Sequence, residues 1–204
     1  AGNTTPHLYR SIISKGVVYI NFGISHGGYP MMYFFDGHLR TLKATSLVST
    51  TEWMHICWTW STTEESIYVN GVLEANTSAY TVATAGGGTS SIVRLGGTAG
   101  LNPDYYEGLI DELSLFNIEL SASDVESIFN NGIPNNISNL NTINWWRMGD
   151  HSSDSPTNNE VITTITDSGE NENDATQSSI SYKPLFYDLS EPTITPTPTP
   201  TPTQ

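Results

Sequence analysis

The chain has 204 residues, enough for one ordinary hydrophobic core with an appendage. Its 7 basic residues against 21 acidic ones give a net charge of −14, which argues against nucleic acid and anionic membranes as partners, because both need a basic patch. Hydrophobic residues make up 37% and charged residues only 14%, so the surface leans on Ser, Thr and Asn. No run approaches the roughly 18 apolar residues of a membrane span, so no membrane insertion is expected, and no signal-peptide pattern is visible. Cys57 is the only cysteine, which excludes an intrachain disulfide.

In chain order, residues 1–10 are polar and turn-like. Ile12 to Phe22 reads as a strand kinked at Gly16. His26-Gly-Gly-Tyr-Pro30 is a loop, Met31 to Phe35 a strand, Asp36-Gly37 a tight turn, and Leu39 to Leu47 another strand. Trp53 to Trp60 is a strand with large side chains on both faces. Asn70-Gly71 is the strongest turn signal and joins Ile67–Val69 to Val72–Ala75 as a hairpin. Gly86 to Gly88 is a link, Ile92 to Leu95 a short strand, and residues 96–106 a loop. Gly108 to Asn117 alternates as a strand, with Asp111, Leu113 and Leu115 on one face and Ile110, Glu112, Ser114 and Phe116 on the other. The period then changes. Ser121 or Ser123 can cap a short helix, Val125, Ile128 and Phe129 form its apolar face, and Gly132 is a natural stop. Many short strands broken by glycine turns predict an antiparallel β-sandwich or jelly roll with one short helix.

Four stretches carry a resemblance. They are Trp53-Met-His-Ile-Cys-Trp-Thr-Trp60, Ile67-Tyr-Val-Asn-Gly-Val-Leu-Glu-Ala75, Ile92-Val-Arg-Leu-Gly-Gly97, and Gly108-Leu-Ile-Asp-Glu-Leu-Ser-Leu-Phe-Asn117 with the helix after it. In this order and spacing, over roughly residues 12–132, they resemble the LamG-like, concanavalin A-like lectin/glucanase domains. The resemblance implies an all-β concanavalin A-like jelly roll and leaves the ligand open. It also implies two further strands ahead of Ile12, for which the chain has only about ten residues. Either the chain is a piece of a longer polypeptide, or its own C-terminal region or a neighbouring subunit supplies the missing strands.

Asn144-Trp-Trp-Arg-Met-Gly-Asp150, followed by Ile165-Thr-Asp-Ser-Gly-Glu-Asn-Glu-Asn-Asp-Ala175, resembles a segment of LamG-like modules in tailed-phage structural proteins. Trp145 and Trp146 point to opposite faces of a strand, as core and latch or as a sugar platform. From Pro192 the chain alternates Thr and Pro, which favours an extended spacer. The expected organisation is a jelly-roll domain over 1–143, a Trp-containing extended arm packing on or extending the sandwich over 144–191, and a Thr-Pro tail over 192–204.

The chemistry points away from catalysis. A retaining glycosidase needs carboxylates about 5–5.5 Å apart. Asp111 and Glu112 are adjacent and point to opposite faces, while Glu107 and Asp111 share a face but lie roughly 13 Å apart along a strand. The histidines show no metal-protease spacing. Asp111 sits on a face with Leu113 and Leu115, where a charge is costly unless it is paired or coordinated. The resemblance implies either hydrogen bonding to a neighbouring turn or a structural Ca²⁺, with Asp111, Asp150, Asp167 and Asp174 as candidate ligands. Asn102, Asp104, Tyr105 and Tyr106 in one loop, and His26 and Tyr29 in another, offer aromatic faces and planar polar groups that suit glycans. The expectation is a non-catalytic module at an extracellular or virion surface, a structural or decoration subunit of a phage virion or fibre joined to like subunits by strand and arm exchange. The alternative is a receptor- or glycan-binding module with cell-surface glycans as partners, and a glycosidase stands third.

Overall fold

Where backbone hydrogen-bonding groups find partners decides where each strand begins and ends. The computed structural model describes residues 9–15, 20–35, 39–78, 92–98, 105–148, 151, 153–154 and 164–176. The Asp36-Gly37 turn, the Gly86–Gly88 link, Asn102, Asp104, Asp150 and the Thr-Pro tail lie outside the described residues. The strands are β1 (Tyr9–Lys15), β2 (Ile20–Ser25), β3 (Pro30–Phe35), β4 (Leu39–Lys43), β5 (Ile56–Trp60), β6 (Glu64–Val69), β7 (Val72–Ser78), β8 (Val93–Leu95) and β9 (Leu113–Phe116). The helix α1 (Ala122–Phe129) follows, then β10 (Thr142–Trp146), β11 (Thr164–Ile165) and β12 (Ala175–Thr176).

A five-stranded antiparallel sheet, ordered β4-β3-β2-β1-β8, packs on a three-stranded sheet, β5-β6-β7. Phe22, Met32, Phe34, Leu42 and Ala44 of the first meet Ile67 and Val69 of the second. Trp58 joins them, its ring 6.3 Å from Phe22 and 6.4 Å from Trp60. On the opposite face of β6, Tyr68 packs against Leu120 and Val125 of the helix segment. β6 is therefore covered on both sides, and the chain is an all-β sandwich with one short helix, as its patterning predicts.

Several element boundaries differ from the sequence reading, among them β6 and β7, which extend to Glu64 and Ser78. The stretch from Ile12 to Phe22 is two antiparallel strands, with Ser14 paired to Asn21; alternation reads alike in one strand or two. β4 stops at Lys43 because the Glu74 carboxylate takes the N–H groups of Thr45 and Ser46 at 2.9 and 2.7 Å, displacing a sheet partner. β5 starts only at Ile56, since Asn70 engages both backbone groups of His55 (2.8 and 2.9 Å). Between Gly108 and Asn117 only Leu113–Phe116 is strand. Glu112 adopts left-handed backbone (φ 51), which breaks the alternation and leaves Asp111 exposed rather than on the Leu113–Leu115 face.

The hairpin and helix signals hold. Asn70 and Gly71 both have positive φ, 49 and 78, the backbone a two-residue turn of this kind requires. Ser121 caps α1 in a reciprocal box with Asp124, its hydroxyl accepting the Asp124 N–H at 3.2 Å while Asp124 accepts the Ser121 N–H at 2.9 Å. α1 ends at Phe129, capped by Asn130 in left-handed backbone (φ 40), and a 3-10 turn carries the chain on to Gly132 (φ 83).

Candidate functional site

The two aromatic loops singled out from the sequence lie toward one end of the five-stranded sheet, Tyr105 beside β1 and Tyr29 on the β3–β4 side. The β2–β3 turn is closed by Gly28 N–H to Ser25 C=O and Ser25 N–H to Tyr29 C=O, both 2.8 Å, which leaves His26 exposed. The Lys43 ammonium lies over the Tyr29 ring, 4.4 Å from its centroid. Across the sheet, Tyr105 bridges to Ser11 on the outer side of β1. Ser11 pairs with Gly23, Gly23 with Met31, and Met31 with Lys43. Tyr105 and Lys43 thus end one cross-strand row, four strand spacings or roughly 19 Å long. Tyr105 is 56% exposed, whereas Tyr106 is partly buried, and burial pushes its phenol above the ordinary range. Arg10 and Glu107 form an exposed ion pair of 3.7 Å beside them. Nothing in the sequence pattern marks Arg10 or Lys43 as members of this end; only the strand register does.

A second polar centre is buried. β10 pairs antiparallel with β9, and Trp146 bridges to Asp167. One oxygen of the Asp167 carboxylate accepts the N–H groups of Trp145 (2.7 Å) and Gly169 (2.8 Å). The other accepts the Asn173 N–H (2.8 Å) and the Asn144 side-chain amide. Burial pushes this carboxyl up, but the four hydrogen bonds outweigh it and hold it below the usual carboxylate range. Gly169 is required here because a Cβ would sit 2.6 Å from Asn144 Cα. Asp174 accepts the Asp167 N–H at 3.0 Å. Trp145 and Trp146 are both buried, 6% and 5% exposed, so the sugar-platform alternative is set aside in favour of core and latch. Trp146 Nε1–H donates to Asn173 C=O at 2.9 Å. Trp145 Nε1–H donates to Glu112, whose other oxygen accepts from Arg147 at 3.2 Å, with the Arg147 guanidinium 4.9 Å from the Trp145 ring centroid. The Glu112 carboxylate thus ties this segment to the residue just ahead of β9.

Among the described residues no group of three or more His, Cys, Asp or Glu could hold a metal ion. Asp167 meets N–H donors, and Asp111 Oδ1 accepts the neighbouring Glu112 N–H at 2.9 Å. The hydrogen bonds accepted by Glu74, Asp124 and Asp167 hold these three carboxyls below the usual carboxylate range.

An antiparallel sandwich with a short helix packed on one sheet is the architecture of a concanavalin A-like jelly roll. The sequence family described as the concanavalin A-like lectin/glucanases superfamily, of the laminin G type, matches residues 3–126, and the chain belongs to it. No curated protein matches the chain. A crystal structure described as a "putative carbohydrate binding protein" from Bacteroides ovatus is similar at 14% identity and TM-score 0.58, over 83% of this chain. The chain spans about half, 47%, of that structure's length. An S-layer domain-containing protein of Clostridium thermocellum is similar at 16% identity over 63% of this chain and 66% of that one, with a TM-score of only 0.34. No helix among the described residues is long and apolar enough to cross a membrane.

Proposed function

We propose that the chain is a non-catalytic glycan-recognition module at an extracellular surface, binding through the Tyr29–Tyr105 end of the five-stranded sheet. The observation that carries this reading is that two distant stretches, His26–Tyr29 and Tyr105–Tyr106, lie toward the same end of one sheet, on either side of a cross-strand row roughly 19 Å long. An exposed tyrosine, a second tyrosine under an ammonium, and an exposed imidazole offer stacking faces and directional polar groups along a row. Asn102 and Asp104 join this site in the proposal as the residues just ahead of Tyr105. A glycan array is the test. Binding by the intact chain, lost in Tyr105→Ala with an unchanged circular dichroism spectrum, is the expected outcome; an array blank for the intact chain would sink the reading.

One observation favours a second reading, an assembly or decoration subunit of a particle such as a phage virion. β5 and β9 each end their sheet, with an edge that carries no strand among the described residues. Such an edge can accept a strand from a neighbour. Light scattering with and without EDTA separates the two readings. A stable oligomer places assembly first, and its loss in EDTA adds Ca²⁺; a monomer leaves glycan recognition in front.

A further inference from the structure

On the other sheet, between the Asn70–Gly71 turn and α1, lies a groove of about 410 Å³, within the range of roughly 300–1,000 Å³ in which small ligands bind. Gly71 lets the turn approach the helix: a Cβ there would stand 3.1 Å from Phe129 Cδ1 and 3.5 Å from Glu126 Cα. Asn70, Glu126, Ser127, Phe129, Asn131 and Asn135 are among the residues that line it, and no Lys, Arg or His does. The lining is partly fixed by its own hydrogen bonds. Asn70 Oδ1 accepts the His55 N–H at 2.9 Å, leaving the Asn70 amide N–H groups to spare. Asn135 Oδ1 accepts the Asn136 N–H at 2.9 Å. The His55 ring stacks on Phe129, 6.0 Å between centroids, and backs it. The Glu126 carboxylate, the Ser127 hydroxyl and the Asn131 amide make no side-chain hydrogen bond among the described residues.

We infer that this groove is a second ligand site, and that it takes a neutral, hydroxyl-rich ligand of the saccharide class. Other ligand classes fit the lining badly. An anion would meet Glu126 with no countercharge. An apolar ligand would bury the amides and hydroxyls without partners, at roughly 1–3 kcal/mol for each group. A hard cation needs six to eight oxygens, and no acidic cluster among the described residues supplies the charge. A sugar hydroxyl both donates and accepts, which suits a lining that mixes amides, hydroxyls and one carboxylate, and Phe129 supplies an apolar ring. The inference stands on the groove's own lining and does not require the tyrosine end to bind.

The test is a ¹H–¹⁵N titration of the full chain with maltohexaose, cellohexaose and mannohexaose, with hexagalacturonate as the anionic control. At least one neutral oligomer should shift the amides of Gly71, Asn131 and Gly132 with a Kd on the order of 1 mM. Asn131→Gly removes the side chain while suiting the left-handed backbone there (φ 56), so the fold persists. It and Glu126→Gln should each weaken binding about fivefold, the loss of one hydrogen bond. Silence of these amides with all three neutral oligomers overturns the inference, as does binding that neither variant weakens. Shifts confined to the amides of Gly28, Gly97 and Tyr105 also overturn it, while leaving the tyrosine-end reading in place. Tighter binding of hexagalacturonate at the groove overturns the ligand class.

Discussion

The two-sheet core and the Trp145–Trp146 segment are held by opposite kinds of force. In the core, Met32 and Ile67 are fully buried in a cluster of apolar side chains, so the stabilisation is spread over many of them at roughly 25 cal/mol per Å². In the Trp segment, β9 offers β10 only a short ladder, and one carboxylate collects four donors from residues 144, 145, 169 and 173. Spread apolar burial fails by degrees. A concentrated polar centre fails as a unit, because removing the shared acceptor strands every donor at once.

The largest expected effect breaks the polar centre. Asp167→Ala leaves buried N–H groups of Trp145, Gly169 and Asn173 and the Asn144 amide unpaired, and should cost about 4 kcal/mol, some of the donors being rehydrated. Asp167→Asn keeps one oxygen and turns a donor toward one pair, so it should cost about half as much. Urea unfolding followed by tryptophan emission measures both; equal losses in the two variants would show that the charge, not the count of acceptors, matters. In the core, Ile67→Ala should cost roughly 3 kcal/mol through lost transfer energy and a cavity. The same titration reports it, and Ile67→Val should cost a fraction of that if apolar stabilisation is graded.

This contrast also decides what could be read from the sequence. The apolar half was legible because periodicity and turn chemistry are local: Asn70-Gly71, the Ser121 cap and the Val125–Ile128 face appear where patterning puts them. The polar half was not. Asp167 looks like a candidate metal ligand in sequence, and only the folding of residues 164–176 onto β10 reveals four donors around it. Glu112 was passed over for Asp111 because strict alternation predicts their faces, and the positive φ at Glu112 overrides alternation. At the tyrosine end the aromatic residues were legible from composition, but their placement along one cross-strand row depends on register, which one sequence does not carry.

Acid should separate the Trp segment from the seam between β5 and α1, where His55 stacks on Phe129. Burial lowers the His55 pKa from 6.5 to about 4. The folded state therefore binds fewer protons than the unfolded chain in this window. Its contribution is full above pH 6.5 and is lost as pH falls to about 4, up to about 3 kcal/mol at 1.36 kcal/mol per unit. The Asp167 carboxyl is held below its usual range, so its contribution persists above the ordinary carboxylate pKa and is lost only at lower pH. Stability measured in urea at steps of pH should fall first through the His55 window, and His55→Gln should flatten that first slope alone. A single transition below pH 4 would contradict the assignment.

The smallest effect tests the seam between turn and helix. Gly71 has φ 78, where a side chain costs about 1–2 kcal/mol in backbone strain. A Cβ would also press on the Phe129 ring at 3.1 Å, but that ring is the end of a side chain that can give by a few tenths of an ångström. Gly71→Ala should therefore lower stability by little more than the strain itself, well short of the loss in Ile67→Ala. Thermal melting of Gly71→Ala beside Val72→Ala, whose side chain is largely exposed and should cost almost nothing, isolates the backbone term. A loss as large as that of Ile67→Ala would mean that turn and helix are packed as tightly as the core, and that the line between spread and concentrated stabilisation runs elsewhere.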